Sequence, residues 1–287
     1  MDAEVRRAIQ ARLGVAIDAA RRLGGGDIND AFALELADGR WVFAKCNARS
    51  PRDMFPAEAR GLRWLAQARA LAVPEVIAVS EPGQPAFLVL EFVDPGARVR
   101  DFEERLGRGL AALHRSGAPS FGLEHDNFIG SLPQSNEPAG DWPSFYAERR
   151  LLPLVGKALE GGRLSPATAR RFDRLVARLP DLAGASEPPA RLHGDLWGGN
   201  LHATDTGEPA LIDPAVYGGS REIDLAMMRL FGGFGARVFD AYAEAYPLAA
   251  GHAERVPLYQ LYPLLVHVNL FGGGYARSVE DALLHYV

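Results

Sequence analysis

The sequence predicts an α+β protein in two lobes, a small antiparallel-sheet lobe over residues 1–93 and a mostly helical lobe over residues 94–287. Three observations predict it. Apolar residues alternate through Phe32, Leu34 and Leu36, turn at Asp38-Gly39 and resume at Trp41-Val-Phe-Ala-Lys45, the mark of a β-hairpin. The near-continuous apolar run Ala86-Phe-Leu-Val-Leu-Glu-Phe-Val93 reads as a strand covered on both faces, and it stops at Asp94-Pro-Gly96, a break suited to a hinge. Beyond it, Phe102, Leu106, Leu110 and Leu113 recur at the helical period.

In chain order, Val5, Ile9 and Leu13 are interleaved with arginines, which predicts an amphipathic helix over residues 3–13. Arg22-Leu-Gly-Gly-Gly-Asp-Ile-Asn-Asp30 is a glycine-rich turn feeding the hairpin. Its Gly24, Gly25 and Gly26 would let backbone N–H groups approach phosphates closely. The helix around residues 56–65 gathers Ala59, Leu62 and Leu65 on one face and carries Glu58 near its start, and Val76–Val79 is a strand. His114 ends the helix over 101–114 as a structural residue of the interior. Residues 117–143, rich in Gly, Pro, Asn and Ser, read as an irregular insert, and Trp142 to Pro153 starts another helical segment. Ser165-Pro166 is an N-cap with proline at the first helical position, Phe172, Leu175, Val176 and Leu179 give that helix a buried face, and Pro180 to Pro189 is a loop. After Asp213 the run from Gly218 opens a helix with Glu222 and Asp224 in its first turn and Met227 and Met228 as core filling.

The chemistry concentrates in Arg191-Leu-His-Gly-Asp-Leu-Trp-Gly-Gly-Asn200 and Ala210-Leu-Ile-Asp213-Pro214. Phosphoryl transfer needs one carboxylate to take the acceptor hydroxyl's proton and hard oxygen ligands for Mg²⁺. His193, Asp195 and Asn200 stand at the spacing of the kinase pattern H-R-D-x-x-x-x-N, and Asp213 follows at the end of a strand. Gly194 in place of the arginine points to small-molecule kinases of that fold rather than protein kinases. Lys45 closes the second hairpin strand, where the same pattern places the lysine that meets nucleotide phosphates and pairs with a helix glutamate, here Glu58. The backbone of Glu91, Phe92 and Val93 would face the adenine. Asp224 reads either as a first-turn carboxylate favouring the helix dipole or as the group that holds His193 and the backbone of its loop. Trp197 reads either as core or as a flat wall stacking on the substrate, with the loop around Asn127 as the other place for recognition. The ligand types of His193, Asp195, Asn200, His202 and Asp213 also suit a two-metal phosphoesterase, but such an enzyme has no need of the glycine loop, lysine, helix glutamate and hinge in this order.

Composition narrows the partners. The formal net charge is -5 with no lysine or arginine run, which excludes an evident nucleic-acid or anionic-membrane surface. One cysteine, Cys46, leaves no internal disulfide and fits a reducing compartment, and the start lacks the apolar stretch of a signal peptide, so the expectation is a cytoplasmic protein. Nothing in the sequence fixes an oligomeric state.

Taken together, HGDLWGGN at 193–200, IDPAVYGGSREIDLAMMRLFGGF at 212–234, FGLEHDNFIG at 121–130, GGDIND at 25–30 and NLFGGGY at 269–275 resemble the fructosamine kinase (ketosamine-3-kinase) family, on the aminoglycoside-phosphotransferase-like branch of the protein-kinase-like fold. The resemblance implies ATP and Mg²⁺ as cofactors and phosphorylation of the sugar C3 hydroxyl of a glycated amine, free or protein-bound, as deglycation repair. It implies Asp195 as base, Asn200 and Asp213 as metal ligands, and Lys45 with Glu58 as the phosphate-positioning pair. Some relatives carry a cysteine in the glycine-rich loop that is proposed to bridge two chains. Here Asp27 stands at that place, so no redox-switched dimer is implied. A kinase of an aminoglycoside or choline remains an alternative, as does a nucleotide-binding regulator, although a regulator would be expected to have lost Lys45, Asp195 or Asp213.

Overall fold

The computed structural model describes residues 1–24, 29–81 and 83–287. Its contacts sort the chain into two compact units, Met1–Phe102 with Leu201–Asp213, and Glu103–Asn200 with Pro214–Val287. The fold is mixed α and β, with an antiparallel sheet in the first unit and helices dominating the second.

In the first unit, α1 (Ala3–Leu13) starts where the Asp2 side chain accepts from Glu4 N–H at 2.8 Å. It is followed by β1 (Ile17–Leu23), β2 (Asp30–Leu36), β3 (Trp41–Cys46), α2 (Met54–Ala66), β4 (Val76–Val79) and β5 (Phe87–Glu91). The strands form an antiparallel sheet in the order β1-β2-β3-β5-β4. Pairing of Phe32 with Ala44 and Leu34 with Val42 stacks apolar side chains on one face, where they meet Val5 and Ile9 of α1. The apolar run of β5 is explained by burial on both sides. Phe87 and Val89 join the α1 cluster, while Leu88 and Leu90 pack with Phe55, Ala59 and Leu62 of α2. Each such side chain contributes about 1.5–3 kcal/mol when fully buried. Lys45 lies between Ala44 and Cys46, which belong to the α1 side, so strand alternation turns the lysine toward α2. β1 was not evident from the sequence because only its first residue, Ile17, is buried, leaving no period-two signal.

Residues 201–211 fold as a hairpin within this unit. Leu211 N–H donates to Ala72 O at 2.9 Å, Gly96 N–H to Ala203 O at 3.2 Å and Val99 N–H to Gly207 O at 3.3 Å. The approach at residue 96 is so close that a Cβ there would stand 2.1 Å from Thr204 O.

The second unit begins with α3 (Phe102–Arg115). The insert expected to be irregular contains a hairpin of β6 (Asn127–Ile129) and β7 (Leu132–Gln134), too short for its alternation to stand out. Next come α4 (Trp142–Phe145), a π-helical turn over Tyr146–Leu151, α5 (Leu152–Glu160) and α6 (Pro166–Leu182). Ser165 caps α6 by accepting from Thr168 N–H at 3.0 Å. The helix runs through Pro180 instead of ending before it. A proline in the final turn removes one helix bond, and Ala183 N–H still reaches Leu179 O at 2.9 Å. After β8 (Ala190–Leu192) the chain makes the hairpin of the first unit as β9 (Leu201–Ala203) and β10 (Pro209–Leu211), then returns as β11 (Tyr217–Gly219), which pairs with β8. The helices α7 (Glu222–Phe231), α8 (Ala236–Ala245), α9 (His252–Phe271) and α10 (Tyr275–Leu283) complete the fold. α9 is buried along most of its length in a core that includes Trp142, Tyr146, Tyr217 and Tyr259.

Replacing Gly96 with alanine should therefore lower stability by about 1–3 kcal/mol, because the added methyl meets backbone oxygen that cannot swing away. Gly140→Ala, where nothing lies within 4 Å, should change it little. Urea unfolding midpoints at unchanged slope measure the contrast.

Candidate active site

Within the sheet unit, Lys45, Glu58 and Asp213 meet. The Lys45 ammonium donates to Glu58 Oε1 at 2.8 Å and to Asp213 Oδ1 at 2.5 Å. Three elements produce the arrangement: the alternation of β3 turns Lys45 to α2, α2 presents Glu58 on its first turns, and the Leu211–Ala72 bond anchors the hairpin two residues before Asp213. The lysine side chain is 8% exposed and that of Glu58 13%, whereas Asp213 keeps 39% of its side chain open. Burial alone would favour the neutral amine, but the charges of Asp213 and Glu58 outweigh it and hold the ammonium above its ordinary pKa. Burial raises the carboxyl of Glu58; Lys45 pulls it back and Asp213 adds to the rise. Asp213 has φ of 54°, a left-handed conformation that an aspartate adopts at some cost, and it stands two residues after the end of β10 and immediately before Pro214.

Within the helical unit, the loop 193–200 is fixed by one buried carboxylate. Asp224 accepts from His193 N–H at 2.8 Å and Gly194 N–H at 2.9 Å, and its Oδ2 lies 3.2 Å from His114 Nε2. His114 Nδ1 lies 2.8 Å from the Tyr242 hydroxyl, so the chain of partners runs from the loop backbone to α8. Burial would raise the carboxyl of Asp224, but its bond to His114, the two histidines and the N–H of Gly194 together hold it below the ordinary value. Gly194 adopts φ of 82°, and a Cβ there would stand 2.0 Å from Ala215 O. Ala215 N–H in turn donates to His193 O at 2.9 Å, and Asp195 N–H donates to His193 Nδ1 at 3.3 Å. The amide nitrogen of Asn200 donates to Asp195 O at 2.8 Å and to Asp195 Oδ2 at 3.3 Å. The nitrogen end of Asn200 is thus turned to Asp195, which makes the oxygen end the one suited to a hard cation. Among the described residues no three of His, Cys, Asp and Glu converge as a metal-holding group.

The remaining expected residues fall in different settings. Gly24 is exposed, while Gly25, Gly26 and Asp27 lie outside the described residues. Glu91 is tied to the segment before β4, its N–H donating to Glu75 O at 2.9 Å and its Oε2 accepting from Glu75 N–H at 3.2 Å. The Glu91 N–H is thereby used within the sheet unit, and Phe92 and Val93 follow the end of β5. Trp197 is 42% exposed, which excludes a core role, and its ring covers Gly199. Asn127 is buried and its carboxamide is spent inside the unit, donating to Val216 O at 2.8 Å and accepting from Gln134 at 2.7 Å. Through the bond to Val216 O, Asn127 supports the segment after Pro214. Arg150, Gln134 and Asn136 were not singled out in the sequence. Arg150 donates to Ser135 O and Asn136 Oδ1, both at 2.6 Å, and lies 3.9 Å from the centre of the Tyr217 ring.

A sequence model of the fructosamine kinase family matches residues 1–287. The chain belongs to the fructosamine kinase family. Membership makes it a phosphotransferase. A probable ketoamine kinase of Synechocystis is 39% identical over 267 residues, 92% of this chain and 88% of that protein. The crystal structure of a fructosamine-3-kinase from Thermobifida fusca, so named by likeness, superposes with a TM-score of 0.90 at 41% identity, covering 98% of this chain and 97% of that one. An aminoglycoside phosphotransferase in ternary complex with AMP-PNP and hygromycin B has a TM-score of 0.62 at 17% identity, with 98% of each chain covered, which shows the shared fold. No helix among the described residues is long and apolar enough to cross a membrane.

The Asp224 anchorage predicts a pH signature. A carboxylate whose folded pKa is depressed contributes stability in full above the unfolded value and loses it as pH falls through the folded one. At pH near 7, Asp224→Asn should cost about 1–3 kcal/mol, since an amide cannot accept from both loop N–H groups and His114. As pH falls below the ordinary carboxyl value of 3.8, the gap between wild type and variant should narrow. Urea unfolding from about pH 7 to about pH 3 measures it; a constant gap would show that the charge of Asp224 carries none of the stability.

Proposed function

We propose that the protein is an ATP-dependent, Mg²⁺-requiring kinase of the sugar C3 hydroxyl of ketosamines, acting in deglycation. The observation that carries the reading is the buried Lys45 ammonium, aimed by Glu58 and joined to Asp213, in a chain whose loop 193–200 holds Asp195 and Asn200 in contact. Lys45 positions nucleotide phosphates, and Glu58 keeps it from swinging away. Asp195 accepts the proton of the acceptor hydroxyl, and the bond from Asn200 orients that carboxylate. Asn200 and Asp213 offer the hard oxygens that Mg²⁺ prefers, and the metal when bound neutralises phosphate charge. The backbone of Glu91, Phe92 and Val93 lines the adenine side, and Gly24 meets the phosphates.

The C3 position explains repair. Enolisation toward C1 places a C1–C2 double bond beside C3, and a phosphate there leaves far more readily than hydroxide. Loss of phosphate is followed by hydrolysis that frees the amine.

Asp195→Asn should lower turnover by about 10²–10⁴-fold while ATP still binds, because the shape survives and the base does not. Coupled ATP-consumption assays and calorimetry read the two quantities, and NMR of the product reads the phosphate position. Turnover near wild type removes Asp195 as base; a phosphate on another carbon removes the C3 assignment; ATP affinity indifferent to Mg²⁺ removes the metal.

Trp197 offers an open ring face beside Asp195 in sequence, suited to a sugar or a cationic amine. Trp197→Ala should raise KM for the ketosamine by about tenfold with KM for ATP within about twofold, a change of roughly 1.4 kcal/mol. Equal effects on both substrates would contradict this role.

A further inference from the structure

Phe231, His267, Phe271 and Tyr275 form one aromatic patch on the helical unit. Ring centroids lie 4.5 Å apart for Phe231 and His267, 5.4 Å for His267 and Phe271, and 5.0 Å for His267 and Tyr275. Phe231 is 38% and Phe271 53% exposed. An open cluster of large rings marks a recognition surface. Burial holds the pKa of His267 below the ordinary value, and Nδ1 donates to Pro263 O at 2.8 Å.

One contact connects this patch to the loop that carries Asp195. Gly233, just past Phe231, lies directly on Gly198. A Cβ on Gly233 would stand 3.2 Å from Gly198 Cα, and one on Gly198 would stand 3.3 Å from Gly232 O, so the two loops touch with no side chain between them.

We propose that the patch is the subsite for the alkyl stem behind the amine nitrogen of the substrate, as in a glycated lysine side chain. This rests on the ketosamine reading. The apolar area of the rings covers methylenes, and the contact of Gly233 with Gly198 sets the patch beside the loop that carries Asp195.

The test compares 1-amino-1-deoxyfructose, which has no substituent on nitrogen, with fructosyl-lysine in a short uncharged peptide. For Phe231→Ala/Phe271→Ala, kcat/KM on the peptide should fall by about tenfold or more, carried by KM, while the unsubstituted amine stays within about twofold. Phe271→Tyr should keep both. Melting temperature and ATP binding report folding, and Phe271→Ser, at the most exposed ring, serves where the double variant does not fold. Equal losses on the two substrates, or no loss on either, overturn the subsite while the ketosamine reading stands. A wild-type dimer that the variant dissolves with KM unchanged gives the patch to a second copy and also overturns it. Wild-type protein that turns over neither compound overturns the ketosamine reading, and the subsite with it.

Discussion

A lysine ammonium can be kept out of water only where anions replace its hydration, and the sheet unit is built around that requirement at Lys45. One carboxylate comes from the helix that covers the sheet and the other from a hairpin more than a hundred positions later, the Lys45–Asp213 contact spanning 168 residues. Neither partner is optional. Removing either would leave a buried charge with one anion where the surroundings are shaped for two. The alternation of β3, the place of Glu58 on α2 and the anchoring of residues 201–211 on Ala72, Gly96 and Val99 all act to deliver these three groups to one point.

The helical unit solves a related problem with a single carboxylate. Loop 193–200 is rich in glycine and has few side chains with which to hold itself. Asp224 accepts from two consecutive N–H groups of that loop and is itself braced by His114, so backbone geometry is set by a group on a rigid helix. The Asn200 carboxamide then joins Asp195 within the loop. The amide network of Asn127, Gln134 and Asn136 supports the segment after Pro214 through Ala215 O and Val216 O.

Local signals were legible in the sequence. The spacing of Asp195 and Asn200, the Lys45 strand end, the Ser165 cap and the two-sided burial of β5 all leave marks within a few residues of one another. What was not legible depends on partners far along the chain. The carboxamide of Asn127 reads as an available polar group until Val216, 89 residues later, takes its N–H. β1 exposes nearly all its side chains and exists because β2 pairs with its backbone, which no pattern of hydropathy records. Pro180 reads as a terminator because helix propensity is local, whereas the length of α6 is set by Phe172, Leu175 and Leu179 in the core.

The detour of residues 201–213 into the sheet unit has a consequence for how the chain is made. Long-range contacts close late, and a chain leaving the ribosome presents its amino-terminal part first. Residues 1–102 emerge with Lys45 beside Glu58 alone, and with the backbone of Ala72 and Gly96 missing the strands they later bond. The sheet unit thus cannot reach its final form as an independent early module. It waits for the stretch that also contains Asp213, so a product truncated before residue 201 carries an incomplete lysine site.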